Sequence, residues 1–185
     1  MKPTALLLAA ATFALRAQAP APAPAAPTVA QSFNRSLSGL EGEVVSAVEA
    51  MPEEKFAFAP TQGEFKGVKT FAEQARHIAS VNVALAAALR EEKPAMDPGG
   101  ENGPETLKTK AEVVAYLKAS FAYLHKAMDG LTEASLMGLV KSPWGEGKGT
   151  RLGFATLSLS HGFDHYGQIA VYLRMNGIVP PASRR

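Results

Sequence analysis

HGFDHYGQIAVYLRMNGIVPP, residues 161–181, has the pattern of a helix end that carries two histidines on one face. His161 and His165 stand four residues apart, a spacing that places side chains on the same side of a helix, about 6 Å from one another. Two such imidazoles suit one divalent ion, which each binds at about 2.1 Å. Asn176-Gly177 and the prolines after it are typical of a helix C-terminus. Spacing alone leaves a second interpretation open, that of two polar residues on the flank of a helix.

The sequence around this pair matches no complete catalytic zinc motif. Gly162 occupies the place of the general-base glutamate in H-E-x-x-H. The inverted motif H-x-x-E-H is closer, but Asp164 stands where that motif requires glutamate, and aspartate is one methylene shorter. Residues 166–185 contain no Asp or Glu. A further metal ligand must therefore come from a segment upstream of the pair.

Two histidines precede the pair. His125 lies in the last turn of a predicted helix, where a partly positive imidazole suits the helix dipole, so a structural role explains it. His77 lies inside another predicted helix, next to the apolar Ile78, and an inward imidazole there needs polar partners for both nitrogens. We predict that His77 faces His161 and His165 across the protein. A core-edge histidine bonded to a neighbouring hydroxyl is the alternative.

Four segments repeat apolar residues with a helical period, and no segment alternates convincingly like a strand. The helices are predicted at about 31–51, 70–90, 109–130 and 151–175. TFAE and TKAE place a threonine three residues before a glutamate at the second and third helix starts, which is the capping-box pattern. Each helix has an apolar stripe, and a four-helix bundle is the simplest way to bury all of them. The sequence thus predicts an all-α fold.

Long segments connect these helices. Residues 53–69 and 91–108 are long for links between adjacent antiparallel helices, and we expect both to pack across the ends of the bundle. A short helical turn at about 132–139 precedes the loop KSPWGEGKGT, residues 141–150. GKGT lacks the adjacent Lys-Thr and the preceding strand of a phosphate-binding loop. We interpret the loop as a flap near a bundle end, with Trp144 as a candidate substrate contact; an ordinary surface loop is the alternative.

The N-terminal segment is typical of an exported protein. Lys2 precedes an apolar run too short to span a bilayer, and Ala17-Gln18-Ala19 supplies the small residues that signal peptidase accepts. Residues 1–19 are therefore predicted to be a signal peptide, followed by a Pro/Ala-rich, extended and disordered spacer over 20–30. The bundle domain is predicted at 31–183, in the periplasm or secreted. A disordered cytoplasmic tail is the alternative to the leader.

Composition excludes several classes of function. The chain has 19 basic and 17 acidic residues, and loss of Lys2 and Arg16 with the leader makes it formally neutral, so charge predicts no nucleic-acid or anionic-membrane partner. Cysteine is absent, which excludes disulfides, thiolate metal sites and cysteine nucleophiles. No segment after the leader is apolar over the length of a transmembrane helix. Any metal must therefore be bound by nitrogen and oxygen.

The second and last predicted helices carry a resemblance to a known family. Thr70 to His77, followed about 80 residues later by H-x-x-x-H-Y-G-Q-I-x-x-Y-L-R-x-x-G-I-x-P-P, resembles the DinB-like (DinB/YfiT-type) family of metal-binding four-helix-bundle proteins. The resemblance spans most of residues 31–183. It is specific in the last helix, moderate around His77, and absent from the leader and spacer.

This resemblance implies a metal site and the residues that form it. In the family, one histidine from the second helix and two from the last bind a divalent ion such as zinc or nickel, and the matching positions are His77, His161 and His165. The histidine-plus-GQ signature of the family corresponds to His165, Gly167 and Gln168. Relatives are often dimers, so a homodimer is a further implication.

Three imidazole ligands leave at least one coordination position open, which is the arrangement of a catalytic rather than a structural site. Such a site acidifies a bound water or holds a thiol as thiolate. We therefore predict a metal-dependent hydrolase or group transferase that acts on a small molecule of unknown identity. The family includes transferases and isomerases that use small cytoplasmic thiols, and the predicted leader is at odds with such cosubstrates. The alternatives are a non-catalytic metal-binding or interaction module of the cell envelope, and a bundle whose histidines are structural.

Side chains beside the histidines are candidates for supporting roles. Asp164, adjacent to the second histidine of the pair, is the candidate catalytic group, which orients a ligand N–H or accepts a proton. A solvated surface charge is the alternative. Gln168 and Tyr172 continue the ligand row along the helix and are candidates for the substrate pocket, although Tyr172 also suits the core. Glu73, one turn before His77, already serves the capping box.

Overall fold

Helices account for most of the regular structure in the computed structural model, which describes residues 25–184. Its long helices are α1 (Val29–Ala50), α2 (Phe71–Arg90), α3 (Lys110–Asp129) and α4 (Arg151–Met175). Between α3 and α4, β1 (Leu139–Lys141) and β2 (Lys148–Thr150) form an antiparallel hairpin. Single turns of 3-10 helix cover Glu53–Lys55 and Pro181–Ser183. The all-α, four-helix prediction is confirmed, and no helix within residues 25–184 has the length and hydropathy required to cross a membrane.

Reciprocal capping fixes the starts of the first three helices. Thr28 Oγ1 accepts from the N–H of Gln31, and the Gln31 side chain accepts from the N–H of Thr28 at 2.9 Å. α1 therefore begins at Val29, so residues 29 and 30 of the predicted spacer are helical. The capping boxes predicted from TFAE and TKAE are both present. The predicted signal peptide, residues 1–19, lies outside the described residues, as does the spacer up to residue 24.

The helices are arranged so that α1 and α2 occupy opposite corners of the bundle, because the main contacts join each of them to α3 and α4. Lys110 Nζ donates to the carbonyl of Met51 at 2.8 Å, which places the start of α3 beside the end of α1. Arg151 binds Glu91, which places the start of α4 beside the end of α2. Arg76 donates to the carbonyl of Leu107, which places the start of α2 beside the start of α3. α1 and α4 therefore run in one direction, and α2 and α3 run in the opposite one.

The first long connection crosses an end of the bundle, as predicted. Phe56 is buried and its ring packs against that of Phe71, with centroids 5.4 Å apart. The carbonyl of Phe58 accepts from the N–H of Phe71 at 2.8 Å. This segment therefore closes the end of the bundle at which α2 begins.

The prediction that residues 91–108 also cross a bundle end is wrong. Because α2 and α3 run in the same direction, this connection must return along the length of α2, a distance of about 30 Å. It lies against that helix: Ser80 Oγ donates to the carbonyl of Pro98 at 2.6 Å, and Arg76 donates to that of Leu107 at 3.0 Å. A segment of the chain thus covers the side of α2 that carries His77.

The segment before α4 contains a hairpin that the sequence pattern does not reveal. The N–H of Leu136 bonds the carbonyl of Thr132 at 3.2 Å, which is the helical turn predicted near residues 132–139, but β1 begins at Leu139. Only the central residue of β1, Val140, is buried. Alternation over so short a strand is too weak a signal to separate it from a loop.

The core consists of apolar residues from all four helices, and α4 differs from the others. Large side chains with less than 2% exposure include Leu37, Leu40, Phe71, Ile78, Leu85, Leu117, Phe121, Leu124, Met128, Ile169 and Leu173. Between Ala155 and Ile169, the buried residues of α4 are Ser158, Gly162 and His165. The inward face of α4 is therefore small and polar over two turns. The candidate site lies there.

Candidate metal centre

The structure brings the three predicted ligands together. His77 lies in the second turn of α2, and His161 and His165 lie in the middle of the neighbouring antiparallel helix α4. One ligand atom from each ring lies within 4.8 Å of the others. The ring centroids are 4.4 to 4.9 Å apart. Nε2 of His77 is 3.0 Å from Nε2 of His161, close to the separation of about 3.4 Å between two nitrogens on one tetrahedral zinc ion.

Hydrogen bonds fix the tautomers of two of these imidazoles. Nδ1 of His77 is 2.6 Å from the carbonyl oxygen of Glu101, and Nδ1 of His165 is 2.6 Å from Oε1 of Gln74. Because both partners are acceptors, each Nδ1 carries the proton and each Nε2 keeps a free lone pair. Histidine ligands of metals are held by outer partners in this manner. The donor set therefore fits a divalent ion.

His161 is held differently. Its Nδ1 is buried without a hydrogen-bond partner in the described part of the chain. Because Nε2 of His77 is an acceptor, the 3.0 Å contact between the two Nε2 atoms is a hydrogen bond that His161 donates. His161 must release this proton from Nε2 before it can act as a ligand.

Burial keeps the triad uncharged at neutral pH. Desolvation, followed by the charges of the neighbouring imidazoles, lowers the pKa of His161 to about 4. Desolvation, followed by His77 and the Lys69 ammonium, lowers the pKa of His165 to about 4. Burial also lowers the pKa of His77, against the effect of its hydrogen bond to Glu101. Metal ligation requires neutral imidazole, so the three rings already have the required charge, and only the proton on Nε2 of His161 must still move.

Ionic groups beside the triad fix the second connection to the start of α2. Lys69 Nζ lies 3.0 Å from the Glu101 carboxylate and 2.8 Å from Oδ1 of Asn102. Asn102 also donates to Glu73 at 3.2 Å, so the capping glutamate has a second role. The Lys69 ammonium lowers the pKa of the Glu101 carboxyl. These bonds position the Glu101 carbonyl that binds His77.

The polar candidates on α4 bind other protein groups. Asp164 is exposed and lies outside the ligand cluster; its carboxylate accepts from Nε2 of Gln168 at 3.4 Å. Oε1 of Gln168 accepts from Nε2 of Gln74 at 2.8 Å. Tyr172 is buried in the core, and its hydroxyl donates to the carbonyl of Lys69 at 3.1 Å. Gln168 thus lies next to a partner of the triad, Tyr172 lies beside the start of α2, and both are directed at the surrounding protein.

The structure does not bring Trp144 to the triad. Its side chain is 50% exposed in the turn of the hairpin. The preceding residues, Ser142 and Pro143, line a cavity of about 450 Å³ together with Ala88 of α2. Ala88 lies eleven residues beyond His77, which corresponds to about 16 Å along the helix. The hairpin therefore packs near the opposite end of α2.

His125 has local partners near the end of α3. Its Nδ1 is 2.6 Å from Oδ1 of Asn34, and its Nε2 is 3.2 Å from a carboxylate oxygen of Glu41. Both nitrogens therefore bind side chains of α1. His125 links two helices and is not part of the candidate metal centre.

Sequence reasoning misses two partners of the triad. Gln74 is 1% exposed and lies on the apolar face of α2 with Phe71 and Ile78; a polar residue in such a stripe is a signal that a buried hydrogen bond is needed. Glu101 acts through its backbone carbonyl, which any residue type supplies. No residue pattern marks such a contact.

The fold and the site define a class of protein: a four-helix bundle in which neutral imidazoles from two antiparallel helices form a candidate open three-histidine site. The family model of the DinB superfamily matches residues 36–169. The chain belongs to the DinB superfamily. The resemblance seen in the second and last helices is thereby confirmed.

Solved structures with the same fold are distant in sequence. A DinB-like protein from Bacillus cereus ATCC 10987 is 15% identical, with a TM-score of 0.64 over 80% of this chain and 93% of that one. A DinB-like protein from Bacillus subtilis is 17% identical, with a TM-score of 0.63 over 83% and 99%. A conserved protein from Enterococcus faecalis is 17% identical, with a TM-score of 0.61 over 81% and 98%. No curated protein matches the chain. At these identities the likeness shows the fold.

Proposed function

We propose that this protein binds a divalent ion of the zinc or nickel type through His77, His161 and His165 and is a metal-dependent hydrolase or group transferase. The observation that carries the proposal is the convergence of three uncharged imidazoles within 4.8 Å on a partly buried face between two helices. Three protein ligands leave room for a further one, as in catalytic zinc sites.

The residues of the chain supply the ligands and their orientation. A divalent ion at this position, when bound, supplies Lewis-acid activation of a water, hydroxyl or thiol group. Glu101 and Gln74 hold the rings of His77 and His165 with their Nε2 atoms unprotonated. Burial keeps these rings neutral, so protons compete little with a cation at pH 7.

The predicted leader, residues 1–19, supports a place in the periplasm or outside the cell. Small cytoplasmic thiols are then not the expected cosubstrates. We therefore favour hydrolysis, or group transfer to an acceptor present in the cell envelope. A non-catalytic metal-binding module of the envelope differs from this proposal only in turnover.

Metal content tests the proposal. The mature chain is stripped of metal, reloaded separately with zinc and nickel, desalted and measured by elemental analysis. We expect one ion per chain, lost in the alanine variants of His77, His161 and His165, because two remaining imidazoles do not hold an ion through desalting. His125→Ala is the matched control, since its ring binds Asn34 and Glu41, and it retains the ion.

Turnover of the loaded protein is then measured on a panel of esters, amides and thiol acceptors. Metal-dependent turnover that the triad variants lose supports the enzyme. Stoichiometric binding without turnover on any member supports the non-catalytic module instead. Equal metal content in the wild type and all three triad variants contradicts the site itself.

A further inference from the structure

A continuous chain of side-chain hydrogen bonds leads from His165 to the protein surface. Nδ1 of His165 is 2.6 Å from Oε1 of Gln74. Nε2 of Gln74 donates to Oε1 of Gln168 at 2.8 Å, and Nε2 of Gln168 donates to Oδ2 of Asp164 at 3.4 Å. His165 is 9% exposed and Gln74 is 1% exposed, whereas Asp164 is exposed. We call these bonds the amide relay; it starts at a candidate ligand and ends at a solvated carboxylate.

The amide relay has a direction, because each glutamine can present either its oxygen or its NH2 group to a given neighbour. In the reverse direction, Gln74 would donate to Nδ1 of His165. The ring proton would then lie on Nε2, the nitrogen that must accept an ion. Reversal would also turn Oε1 of Gln168 towards Oδ2 of Asp164, so that two acceptors would face each other.

Among the relay bonds, the acceptor at the outer end distinguishes the two directions. The two glutamines bond each other equally well either way, and a neutral imidazole can either donate or accept at Nδ1. An ionised carboxylate can only accept. Asp164 therefore favours the direction in which Gln168 donates outward and Gln74 accepts from His165.

We propose that Asp164 sets the direction of the amide relay and thereby holds His165 in the Nδ1–H tautomer, which leaves Nε2 free for a divalent ion. The role of a free Nε2 in metal binding rests on the proposed function, whereas the tautomer of His165 is a property of the metal-free protein. Asp164 is a positioning residue, since its carboxylate is engaged by Gln168 and acts on His165 through two amides. Gln74 and Gln168 share this positioning role.

The tautomer of His165 tests the proposal without any metal. In ¹⁵N-labelled, metal-free protein, two-bond ¹⁵N–¹H couplings show which ring nitrogen carries the proton. We expect the Nδ1–H form in the wild type and a mixture with the Nε2–H form in Asp164→Asn, because asparagine can donate to Gln168 and permits the reversed relay. Glu133→Gln removes one exposed negative charge without touching the relay, since Glu133 has no side-chain bond in the described chain, and leaves the tautomer unchanged.

Metal affinity gives a second readout, measured by competition of zinc with a chelating dye. Gln74→Leu removes the partner of His165, and we expect about 10- to 100-fold weaker binding, as for other lost partners of ligand histidines. Gln74→Glu keeps an acceptor opposite Nδ1 and retains the affinity within a few-fold. Circular dichroism checks the fold of each variant. If Gln74→Leu fails to fold, the tautomer of His165 in Asp164→Asn, a surface substitution, tests the relay alone.

The two proposals fail in different ways. An unchanged His165 tautomer in Asp164→Asn overturns the relay, even if the wild type binds one ion per chain. Absence of zinc binding by the wild type overturns the metal site. The amide relay is still tested in that case, because the tautomer is measured without metal.

Discussion

Gly162 lies between the two histidines of α4 and is packed against α1. A Cβ atom at this position would lie 2.4 Å from Cδ2 of Leu40, whose side chain is 0% exposed. Gly162→Ala therefore forces a buried side chain to move, which costs about 1–3 kcal/mol. The gain in helix propensity from glycine to alanine is at most about 1 kcal/mol. We expect a net loss of stability, measured as the free energy of unfolding in urea.

Gly167→Ala is the matched control for this change. Gly167 lies in the same helix, is exposed, and has no neighbouring atom within 4 Å of the position that an added Cβ would take. Alanine has a higher helix propensity than glycine, and its Cβ at this position meets no other atom. We therefore expect the free energy of unfolding to rise by up to about 1 kcal/mol. If the two variants were equally stable, close packing at Gly162 would not explain why glycine stands where zinc proteases place a glutamate.

The low pKa values of the imidazoles make the metal-free protein sensitive to mild acid. An unfolded imidazole binds a proton near pH 6.5, whereas the pKa values of His161 and His165 in the folded protein are lowered to about 4. Between pH 6.5 and 4 the unfolded chain therefore binds more protons than the folded one. The free energy of unfolding falls as the pH falls through this window and changes no further from this cause below it.

Urea unfolding of the metal-free protein at pH 7, 6 and 5 measures this effect. The double variant His161→Gln/His165→Gln lacks both of these groups and keeps only His77, whose pKa is also lowered by burial, so it should lose less stability over the same range. Most carboxyl groups titrate below pH 5, so they add little to the comparison. A slope equal to that of the wild type in the double variant would show that the buried imidazoles do not cause the acid sensitivity.

Residues of the candidate site differ in how far their contacts depend on residue type, and so in how well the sequence predicts them. The pair on α4 is predictable from its four-residue spacing together with the family resemblance, because the spacing alone leaves a second interpretation open. His77 is predictable from an imidazole beside an apolar stripe, which needs polar partners. Gln74 carries a weaker signal of the same kind. Glu101 contributes a backbone carbonyl, and that contact depends on the course of the chain alone.

At the scale of elements, the start of α2 joins the helix cap to the site. The Glu73 carboxylate accepts from the N–H of Thr70 at 2.7 Å and from Asn102 at 3.2 Å. Glu73→Ala removes both bonds, and we expect about 0.5–2 kcal/mol lower stability from the lost cap. Because Asn102 loses a partner, the backbone N–H of Gly103, which bonds Gly100 at 2.9 Å, should also exchange faster with deuterium.

Glu112→Ala separates the loss of a helix cap from the loss of the bond between Glu73 and Asn102. Glu112 caps α3 in the same manner, with its carboxylate 2.8 Å from the N–H of Thr109, but it has no bond to Asn102. We expect a similar loss of stability and unchanged exchange at Gly103. Faster exchange at Gly103 in both variants would mean that Glu73 acts there only through global stability.

Long elements could be predicted from the sequence, and short ones could not. The helices have many turns of repeating apolar residues, and the capping boxes mark two of the starts within one residue. The hairpin has three residues in each strand, and its single buried position produces no repeat. Val29 and Ala30 extend α1 into the predicted spacer because Thr28, rather than a residue nearer Gln31, forms the cap.

At the scale of the whole molecule, the direction of the helices decides what covers the site. An apolar stripe shows that a helix is buried, but it does not state which helix it packs on or in which direction the neighbour runs. The length of residues 91–108 is the only sequence feature that bears on this, and it fits both a crossing over the bundle end and a return along α2. The return places the carbonyl of Glu101 over His77.

Close packing of this return segment on α2 can be tested at Gly103. Its φ is +70°, and a Cβ atom there would lie 2.7 Å from the carbonyl oxygen of Arg76, which is part of the α2 backbone and cannot move aside. Gly103→Ala should displace the segment from α2 and loosen the Glu101 contact to His77. We expect lower stability and weaker zinc binding together, measured by urea unfolding and by dye competition.

Gly145→Ala controls for the backbone conformation. Gly145 has a φ of +80° in the hairpin turn and no neighbouring atom within 4 Å of the added Cβ, so it shares the left-handed cost of about 1–2 kcal/mol but not the contact with α2. Its zinc affinity should equal that of the wild type, because the hairpin packs near the opposite end of α2 from His77. Equal zinc affinity in Gly103→Ala and Gly145→Ala would show that the return segment covers His77 without holding it. A selective loss in Gly103→Ala would instead tie the course of the chain between α2 and α3 to the geometry of the site.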